Sequence, residues 1–249
     1  MSLDWLKNYN LLIFQTVDST NSEALRLANS GAIGNFVVVS NLQTGGRGSK
    51  GRLWKSIAGN LHASILLDSS VDCKKHPQLS FVIANAVFEA LTKLAQEKKI
   101  NLNIQLKWPN DILIDGKKVG GILLESISLL NKNYVVIGMG INIIEAPANV
   151  AFPATSLYDE GLMLEGSDEL LDLIMNKFDK LYKRWAVDNN FIRTRKDWMR
   201  RAYNINKVIT IDDGNRRLSG TFKEIDFDGS IRIQLAGGQL YNLAAGEVL

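Results

Sequence analysis

The hydrophobic pattern of the chain changes character about four-fifths of the way along. Through residue 205, short apolar runs typical of strands alternate with longer segments of helical period. The predicted strands cover residues 10–17, 36–40, 60–68, 103–108, 111–115, 118–128 and 133–143. The predicted helices cover residues 18–31 and 76–99, a segment that begins near Ser167, and residues 191–203.

Several element ends carry their own signals. Thr20 and Glu23 fit a capping box at the start of the first helix, and Gly31 is a plausible stop. Pro77 suits the first turn of the second helix. The pair Asp115-Gly116 predicts a hairpin between two strands. Because hairpins, rather than helices, join most of the strands, the pattern argues against a doubly wound sheet.

After residue 205 the pattern predicts only β-strands. Short strands are separated by Asp213-Gly214, Asp228-Gly229 and Gly237-Gly238, as in a small barrel or sandwich. We therefore expect an α+β fold with a mixed, mainly antiparallel sheet and flanking helices over residues 1–205. A small β-barrel domain is expected over residues 206–249.

Composition narrows the classes of function. Hydrophobic residues make up 46% of the chain and charged residues 22%, which are ordinary globular values. The formal net charge of +3 is too mild to indicate a nucleic-acid partner. One cysteine and two histidines exclude an internal disulfide and clustered Cys/His metal sites. No signal pattern or run of about 20 apolar residues occurs, so a cytoplasmic protein without a membrane partner is expected.

Chemistry is concentrated in four segments where glycines or polar residues interrupt apolar elements. The loop GGRGSKGRLW, residues 45–54, combines close-approach glycines with cations, which suits an anion site, but it also fits a solvated turn. The other three are KWPND at residues 107–111, KKVGGILLE at residues 117–125 and GMGIN at residues 138–142. Each fits a ligand site or a purely structural turn, bulge or packing contact about equally well.

The order of these segments is more specific than any one of them. Together with DSTN at Asp18, QTGGRGSKGRLW at Gln43, KVGGILLE at Lys118, ATSL at Ala154 and the terminal GEVL, they resemble the biotin protein ligases over nearly the whole chain. The resemblance implies a class II synthetase-like catalytic domain followed by an SH3-like barrel. It further implies an ATP-binding, biotin-dependent protein-modification enzyme that makes biotinyl-5′-AMP, releasing pyrophosphate. The biotinyl group then passes to a lysine of a biotin carboxyl carrier protein, a step called biotinylation.

The resemblance also assigns roles to residues. Lys107, Lys118, Arg47 and Asp111 are the expected catalytic residues, with Lys107 at the α-phosphate and Lys118 at the biotin carboxylate. The expected biotin-binding residues are Ser19, Thr20, Asn21, Gln43, Gly46, Arg47, Gly48, Ser49, Lys118, Gly121 and Gly138. The expected adenylate-binding residues are Lys50, Gly51, Arg52, Trp54, Lys107, Asn110, Asp111 and Asn142. Mg²⁺ should neutralise the pyrophosphate, and Asp111 either ligates metal or assists deprotonation of the acceptor lysine.

One position departs from the family pattern. The family loop usually reads Gly-Arg-Gly-Arg, and this chain has Ser49 at the second arginine, followed by Lys50. We hypothesise that Lys50 replaces part of the charge and that the adenylate is held less tightly than usual.

Three other readings stay open at this stage. A lipoate or octanoate ligase uses the same adenylate chemistry, a biotin-responsive regulator would bind DNA, and a non-enzymatic module would bind the ligand alone. With DSTN at Asp18, we expect no room for an N-terminal winged helix and therefore a monofunctional enzyme. A monomer or weak homodimer is expected.

Overall fold

The computed structural model describes residues 3–69, 71–129, 132–148, 150, 152–188 and 191–249. Within these ranges the chain forms two sheets, one of seven strands and one of five. The strands of the larger sheet are β1 (Asn10–Val17), β2 (Phe36–Gln43), β3 (Leu61–Ser69), β4 (Ile104–Lys107), β5 (Asp111–Ile114), β6 (Lys117–Leu129) and β7 (Lys132–Ile141).

The larger sheet is mixed, as the sequence predicts. Its order is β1-β2-β3-β7-β6-β5-β4. The pair β1–β2 is parallel, whereas β2–β3, β3–β7, β7–β6, β6–β5 and β5–β4 are antiparallel. The predicted hairpin between β5 and β6 is confirmed, with Asp115 at φ 48° and Gly116 at φ 74°, as a two-residue primed turn requires.

Four helices cover the larger sheet: α1 (Thr20–Asn29), α2 (Leu79–Glu97), α3 (Ser167–Asp188) and α4 (Phe191–Arg200). Helix α1 connects β1 to β2 and packs through Ala24 and Ala28 on one face, against Val38, Leu66 and Val136. Helices α2 and α3 pack into the main core, which lies on the other face. The face that carries α1 is therefore only partly covered, and the rest of it is left for the site.

Two predicted helix starts need correction. The N-cap of α1 is Ser19 rather than Thr20, because the Ser19 side chain accepts from the backbone N–H of Ser22 (3.5 Å). The Thr20 hydroxyl is instead engaged by tertiary partners described below. Pro77 does not lie in the first turn of α2 but in a preceding 3₁₀ turn, Cys73–Gln78. Gly31, at φ 77°, follows the end of α1 as expected.

The smaller sheet is antiparallel and contains β8 (Val208–Asp212), β9 (Arg217–Ile225), β10 (Ile231–Gln234), β11 (Leu240–Leu243) and β12 (Glu247–Val248). Its order is β11-β10-β9-β8-β12, consistent with the barrel-like unit expected at the C-terminus. It packs on the rest of the chain through a shared core that includes Trp198, Ile209 and Phe222. The Trp108 indole N–H also donates to the Gly229 carbonyl (3.0 Å). This contact joins the KWPND segment to the smaller sheet.

In the part of the chain that the structure describes, no helix has both the length and the apolar character needed to cross a bilayer.

Candidate active site

Glycines at the centre of the larger sheet form the floor of the site. Successive side chains of a strand point to opposite faces, so even-numbered residues of β7 share the face that carries α1. Tyr134 and Val136 fill that face under the helix, but the next two positions are Gly138 and Gly140. The row of large side chains therefore stops where the GMGIN segment begins, and a depression opens in the sheet surface next to the N-terminus of α1.

These glycines are required because other side chains occupy the depression. A Cβ at Gly138 would lie 2.2 Å from Asn21 Oδ1, and one at Gly140 would lie 2.4 Å from Trp54 Cε2. Gly121 on β6 lies directly opposite Gly140, and a Cβ there would lie 3.6 Å from Trp54 Cζ3. The two motifs GMGIN and KKVGGILLE thus supply one glycine surface, where Asn21 closely approaches Gly138 and the Trp54 indole closely approaches Gly140.

One end of the depression is lined by uncharged polar side chains. The Thr20 backbone N–H and hydroxyl both donate to Gln43 Oε1, at 2.8 and 3.2 Å. Ser64 Oγ lies 2.7 Å from Thr20 Oγ1 and 2.6 Å from Asn21 Oδ1. Thr20, Asn21 and Ser64 are almost completely buried. We call Ser19, Thr20, Asn21, Gln43 and Ser64 the polar cluster.

Arg47 and Glu125 adjoin the polar cluster. Arg47 Nη2 lies 3.1 and 2.9 Å from the two carboxylate oxygens of Glu125, and Nη1 donates to Ser22 Oγ (2.6 Å). Glu125 also accepts from Asn21 Nδ2 (2.6 Å). The guanidinium of the glycine-rich loop is therefore bonded to both α1 and β6.

The glycine-rich loop has a defined backbone. Gly48 N–H donates to the Arg52 carbonyl (2.7 Å), and Trp54 N–H donates to the Gly46 carbonyl (3.0 Å). Arg47 and Leu53 form an isolated antiparallel bridge between these bonds. Gly46 must be glycine, because a Cβ there would lie 2.7 Å from the Trp54 carbonyl oxygen. The loop is folded back on itself so that Trp54 reaches the glycine floor.

The depression is a cavity of about 440 Å³, a usual size for a small-molecule site. Most of the predicted ligand-binding residues line it. They are Ser19, Thr20, Asn21, Gln43, Arg47, Gly48, Ser49, Arg52, Trp54, Asn110, Lys118, Gly121, Gly138 and Asn142.

The other end of the cavity is cationic. Lys118 Nζ lies 2.5 Å from Asp111 Oδ1, and it lies 5.9 Å from the centroid of the Trp54 ring. Lys107 is 3% exposed, and its Nζ lies 3.6 Å from the centroid of the Phe152 ring. Burial lowers the pKa of the Lys107 ammonium below its ordinary value of 10.5, and the nearby Asp111 carboxylate opposes that shift.

A second cavity of about 240 Å³ adjoins this cationic end. Its lining residues are Ser49, Lys50, Arg52, Lys107, Trp108, Pro109, Asn110, Asp111, Ala244, Ala245, Gly246 and Glu247. Ser49, Arg52, Asn110 and Glu247 line both cavities. The two spaces therefore lie side by side, with the tip of the glycine-rich loop between them.

The smaller sheet contributes one wall of this junction. Arg52 Nη1 lies 2.7 Å from Glu247 Oε1 on β12, and Arg52 Nη2 donates to Ser49 Oγ (3.1 Å). Lys50, at φ 57°, donates through Nζ to the Asp212 carbonyl (3.3 Å). The loop is thus fastened to the C-terminal unit by two of its cations.

Asn142 carries an unsatisfied acceptor at the first cavity. Its Nδ2 donates to the Thr155 carbonyl (3.1 Å), but its buried Oδ1 finds no donor among the described residues. A buried acceptor without a partner costs about 1–3 kcal/mol. A ligand with an N–H group, such as an exocyclic amine, would satisfy it.

The described residues do not form a ready-made metal site. No group of three or more His, Cys, Asp or Glu side chains is placed to hold an ion in the described ranges. Asp111 pairs with Lys118, and Glu247 pairs with Arg52. The assignment of Asp111 as a metal ligand stays a prediction.

The structure thus divides the predicted site residues between two cavities. Lys50, Lys107 and Asp111 line the second one, while Gly46 and Gly51 line neither and act through the loop backbone. The sequence analysis assigned no role to Ser64, Glu125, Phe152 or Glu247. Ser64 is recognisable in the sequence as a polar residue on an apolar strand, and Glu125 and Glu247 lie inside the motifs quoted above. None of these patterns indicates which residue the side chain contacts.

Comparisons with known proteins identify the family. Residues 13–142 match the model of the biotin/lipoate A/B protein ligase family. The chain is 36% identical to a biotin–[acetyl-CoA-carboxylase] ligase of Paracoccus denitrificans, over 89% of this chain and 93% of that protein. It is 30% identical to the Mycobacterium tuberculosis protein of the same name, over 93% of this chain and 85% of that one.

A solved structure agrees with the sequence matches. The biotin protein ligase from Aquifex aeolicus in complex with biotin and ATP superposes with a TM-score of 0.79 at 27% identity, covering 96% of this chain and 97% of that one. The glycine floor, the polar cluster and the adjoining cationic cavity lie on this fold. The chain therefore belongs to the biotin/lipoate A/B protein ligase family, as one of its biotin protein ligases.

Proposed function

We propose that this protein activates biotin with ATP to form biotinyl-5′-AMP and transfers the biotinyl group to a lysine of a carboxyl carrier protein. The observation that carries the proposal is the cavity itself, which has an uncharged polar end and a cationic end. The relatives from Paracoccus denitrificans and Mycobacterium tuberculosis are biotin–[acetyl-CoA-carboxylase] ligases, and the Aquifex aeolicus structure holds biotin and ATP.

The polar cluster fits the ureido head of biotin. That head has two N–H donors and one carbonyl acceptor, all of which need partners once they are buried. Gln43, Thr20 and Asn21 offer both donors and acceptors within a single hydrogen-bonded group. The apolar ring and tail then extend past the Trp54 indole, toward Lys118.

The cationic end suits the first chemical step. A carboxylate oxygen of biotin attacks the α-phosphorus of ATP, a new P–O bond forms, and the bond to the β-phosphate oxygen breaks to release pyrophosphate. Both reactants are anionic, so fixed cations lower the barrier. We assign Lys118 to the biotin carboxylate and Lys107 to the α-phosphate. Arg52 and Lys50, which line the second cavity, are assigned to the β- and γ-phosphates.

The second step transfers the acyl group. The ε-amine of the acceptor lysine attacks the acyl carbonyl carbon, and a C–N bond forms. The bond from that carbon to the oxygen that bridges it to phosphorus breaks, AMP leaves with the bridging oxygen, and the amine loses a proton. Asp111 remains the predicted group that assists this proton loss, although its carboxylate is paired with Lys118. Asn142 is assigned to the adenine through its free acceptor.

The metal ion, the partner protein, the cellular location, the oligomeric state and the domain boundary are also proposed. Mg²⁺ is assigned to arrive with the phosphates of ATP, as it commonly does, rather than in a protein-made site. The carboxyl carrier protein of a carboxylase is the proposed partner. Cytoplasmic location, a monomer or weak homodimer, and the boundary near Asn206 between the two domains are proposed on the arguments given from sequence.

Biotin-dependent exchange of pyrophosphate into ATP tests the first step, and labelling of a carboxyl carrier domain tests the second. The expected result is exchange with biotin and none with lipoate, followed by transfer to the carrier lysine. Exchange with lipoate but not biotin would overturn the proposal in favour of a lipoate ligase. Biotin binding without any exchange would indicate a binding module.

A further inference from the structure

Glu125 occupies the end of the glycine floor that faces α1. Gly121, Leu123 and Glu125 are alternate residues of β6 and so share the cavity face of the sheet. Glu125 lies across from Val136 on β7, two cross-strand pairs beyond the Leu123–Gly138 pair and on the same face. Lys118 Nζ lies beside Gly121, where an added Cβ would be 3.2 Å from it. At about 3.3 Å per residue, Glu125 is roughly 13 Å farther along the strand. It is therefore remote from the phosphate chemistry.

The carboxylate of Glu125 is bonded to two residues that line the cavity. One oxygen accepts from Asn21 Nδ2 (2.6 Å) and from Arg47 Nη2 (2.9 Å), and the other accepts from the same Arg47 nitrogen (3.1 Å). Since Asn21 Nδ2 faces Glu125, Asn21 Oδ1 faces Ser64. Asn21 Nδ2 also donates to the Leu123 carbonyl (3.4 Å), so Glu125, through the shorter bond, and Leu123 together fix the direction of the Asn21 amide.

Arg47 also depends on Glu125 for its position. The loop backbone is held by the Gly48–Arg52 and Trp54–Gly46 hydrogen bonds, but these bonds do not hold the Arg47 guanidinium, which depends on its own contacts. The remaining side-chain anchor of Arg47 is the Ser22 hydroxyl (2.6 Å). These contacts use Nη1 and Nη2, so the Nε–H and the other N–H bonds of the guanidinium are left for a ligand.

We propose that Glu125 is a positioning residue that sets the affinity for biotin by orienting Asn21 and Arg47 around its head group. It does not touch the reacting atoms. The inference rests on the proposed function for the identity of the ligand. Loss of the Glu125 carboxylate weakens the ground-state binding of biotin. It therefore raises the biotin KM and leaves kcat nearly unchanged.

The Glu125→Gln variant tests this because it keeps the shape of the side chain. A carboxamide has one acceptor oxygen and no charge. If that oxygen keeps the bonds to Asn21 and Arg47, its N–H₂ faces Arg47 Nη2, so the second bond to Arg47 and the ion pair are lost. We expect the biotin KM, and the biotin Kd measured by calorimetry without ATP, to rise about 10–100-fold, the loss typical of hydrogen bonds to a charged group. Both kcat and the ATP KM should stay within about threefold.

Two further variants keep the test specific. Ser22→Ala removes the neutral anchor of Arg47 and should raise the biotin KM in the same direction by a smaller factor, about threefold. Asp68→Asn breaks a comparable ion pair, that with Lys132 (3.1 Å) on the same sheet, away from both cavities. It should leave the biotin KM at the wild-type value.

Amide hydrogen exchange of residues 44–54 gives a readout independent of activity. Exchange should speed up in Glu125→Gln and not in Asp68→Asn, because the released Arg47 loosens the loop. An unchanged biotin KM, a loss confined to kcat, or unchanged loop exchange would each overturn the role of Glu125. If the wild-type protein bound no biotin, the proposed function would fail, while loop exchange would still decide whether Glu125 holds Arg47.

Discussion

The two ends of the cavity stabilise a ligand by opposite means. At the polar cluster, Thr20, Asn21, Gln43 and Ser64 are neutral and hydrogen-bonded to one another, and the adjoining Arg47 is paired with Glu125. At the cationic end, Lys107 has been buried against an aromatic ring, and its charge is opposed only in part by nearby carboxylates. The polar end is held in place by its own hydrogen bonds before a ligand arrives. The cationic end carries positive charge that nearby carboxylates balance only in part.

This difference separates recognition from chemistry. A neutral, satisfied cluster discriminates by shape and by hydrogen-bond pairing, and it contributes equally to the ground state and the transition state. A buried cation contributes most where negative charge is gathered during the reaction. Substitutions at the polar end should therefore change KM for biotin, and substitutions at the cationic end should change kcat.

The largest expected effect belongs to Lys107→Ala. It removes the most deeply buried cation at the cationic end, and pyrophosphate exchange should fall about 10²–10³-fold in kcat, the usual loss for one electrostatic stabiliser. Biotin affinity without ATP should stay within about threefold, because the polar cluster is untouched. Lys132→Ala, which removes a lysine paired with Asp68 outside the site, is the matched control. Normal adenylation by the alanine variant would refute the role of Lys107.

The complementary change is Gly138→Ala, at the polar end. The new Cβ would lie 2.2 Å from Asn21 Oδ1, so Asn21 must move away from Ser64 and Glu125. Displacing Asn21 disturbs its hydrogen bonds to the ligand, each worth about 0.5–1.5 kcal/mol, so the biotin Kd should weaken roughly 2–13-fold.

The control for that substitution is Gly237→Ala, because a Cβ at Gly237 meets nothing within 4 Å. Calorimetry of biotin binding and the kcat of exchange distinguish the outcomes. A kcat loss as large as the affinity loss would mean that the two ends are not separable in the way the cavity suggests.

The pH dependence of pyrophosphate exchange tests the role of the charge on Lys107 at the cationic end. Burial lowers the pKa of Lys107 from 10.5; Asp111 and Glu247 raise it, and Lys118 and Arg52 lower it. The ammonium is charged below its pKa and loses its charge as the pH rises through it. Exchange should therefore decline on the alkaline side below pH 10.5, by roughly tenfold per pH unit once Lys107 is neutral.

Lys107→Arg provides the test of that assignment. A guanidinium stays charged over the accessible range, so the alkaline decline should move to higher pH even if the maximal rate is lower. Profiles of kcat between pH 7 and 10.5, each normalised to its own maximum, make the comparison. Superimposable profiles would assign the titration to another group.

The hydrophobic pattern was sufficient to predict the secondary-structure elements, whereas the residues expected at the two ends of the cavity came from the resemblance to the biotin protein ligases. Period-two alternation places Gly138 and Gly140 on one face of a strand, and the hairpin at Asp115-Gly116 fixes β5 beside β6. The α+β class and the C-terminal antiparallel unit were confirmed on the same basis. These features depend on local periodicity and turn chemistry, which a single sequence contains.

Pairings between distant segments were beyond such reasoning. Arg47 and Glu125 are separated by 78 positions, and Arg52 and Glu247 by 195. Alternation says which face a residue occupies but not which loop will cover it. The capping error at Thr20 has the same cause, because Gln43 and Ser64 engage its hydroxyl and Ser19 becomes the cap.

Ser49 lies at the junction of the two cavities, since it lines both. Its hydroxyl accepts from Arg52, whose other nitrogen is committed to Glu247. Lys50, the hypothesised replacement for the family's second arginine, donates to the Asp212 carbonyl of the C-terminal unit. In this arrangement the nearest lysine is directed toward the smaller sheet.

The smallest expected effect therefore comes from Ser49→Arg. A guanidinium at this position adds a charge-assisted contact to a phosphate, worth about 0.5–1 kcal/mol in a partly exposed site, and should lengthen the half-life of bound biotinyl-5′-AMP roughly two- to fivefold. Release of the adenylate from pre-loaded enzyme, followed without carrier protein, measures it. Ser49→Ala, which adds no cation, should match the wild-type protein. An equal half-life in wild type and Ser49→Arg would show that Lys50 or Arg52 already supplies the missing charge, and that the tip of the loop belongs to the cationic end after all.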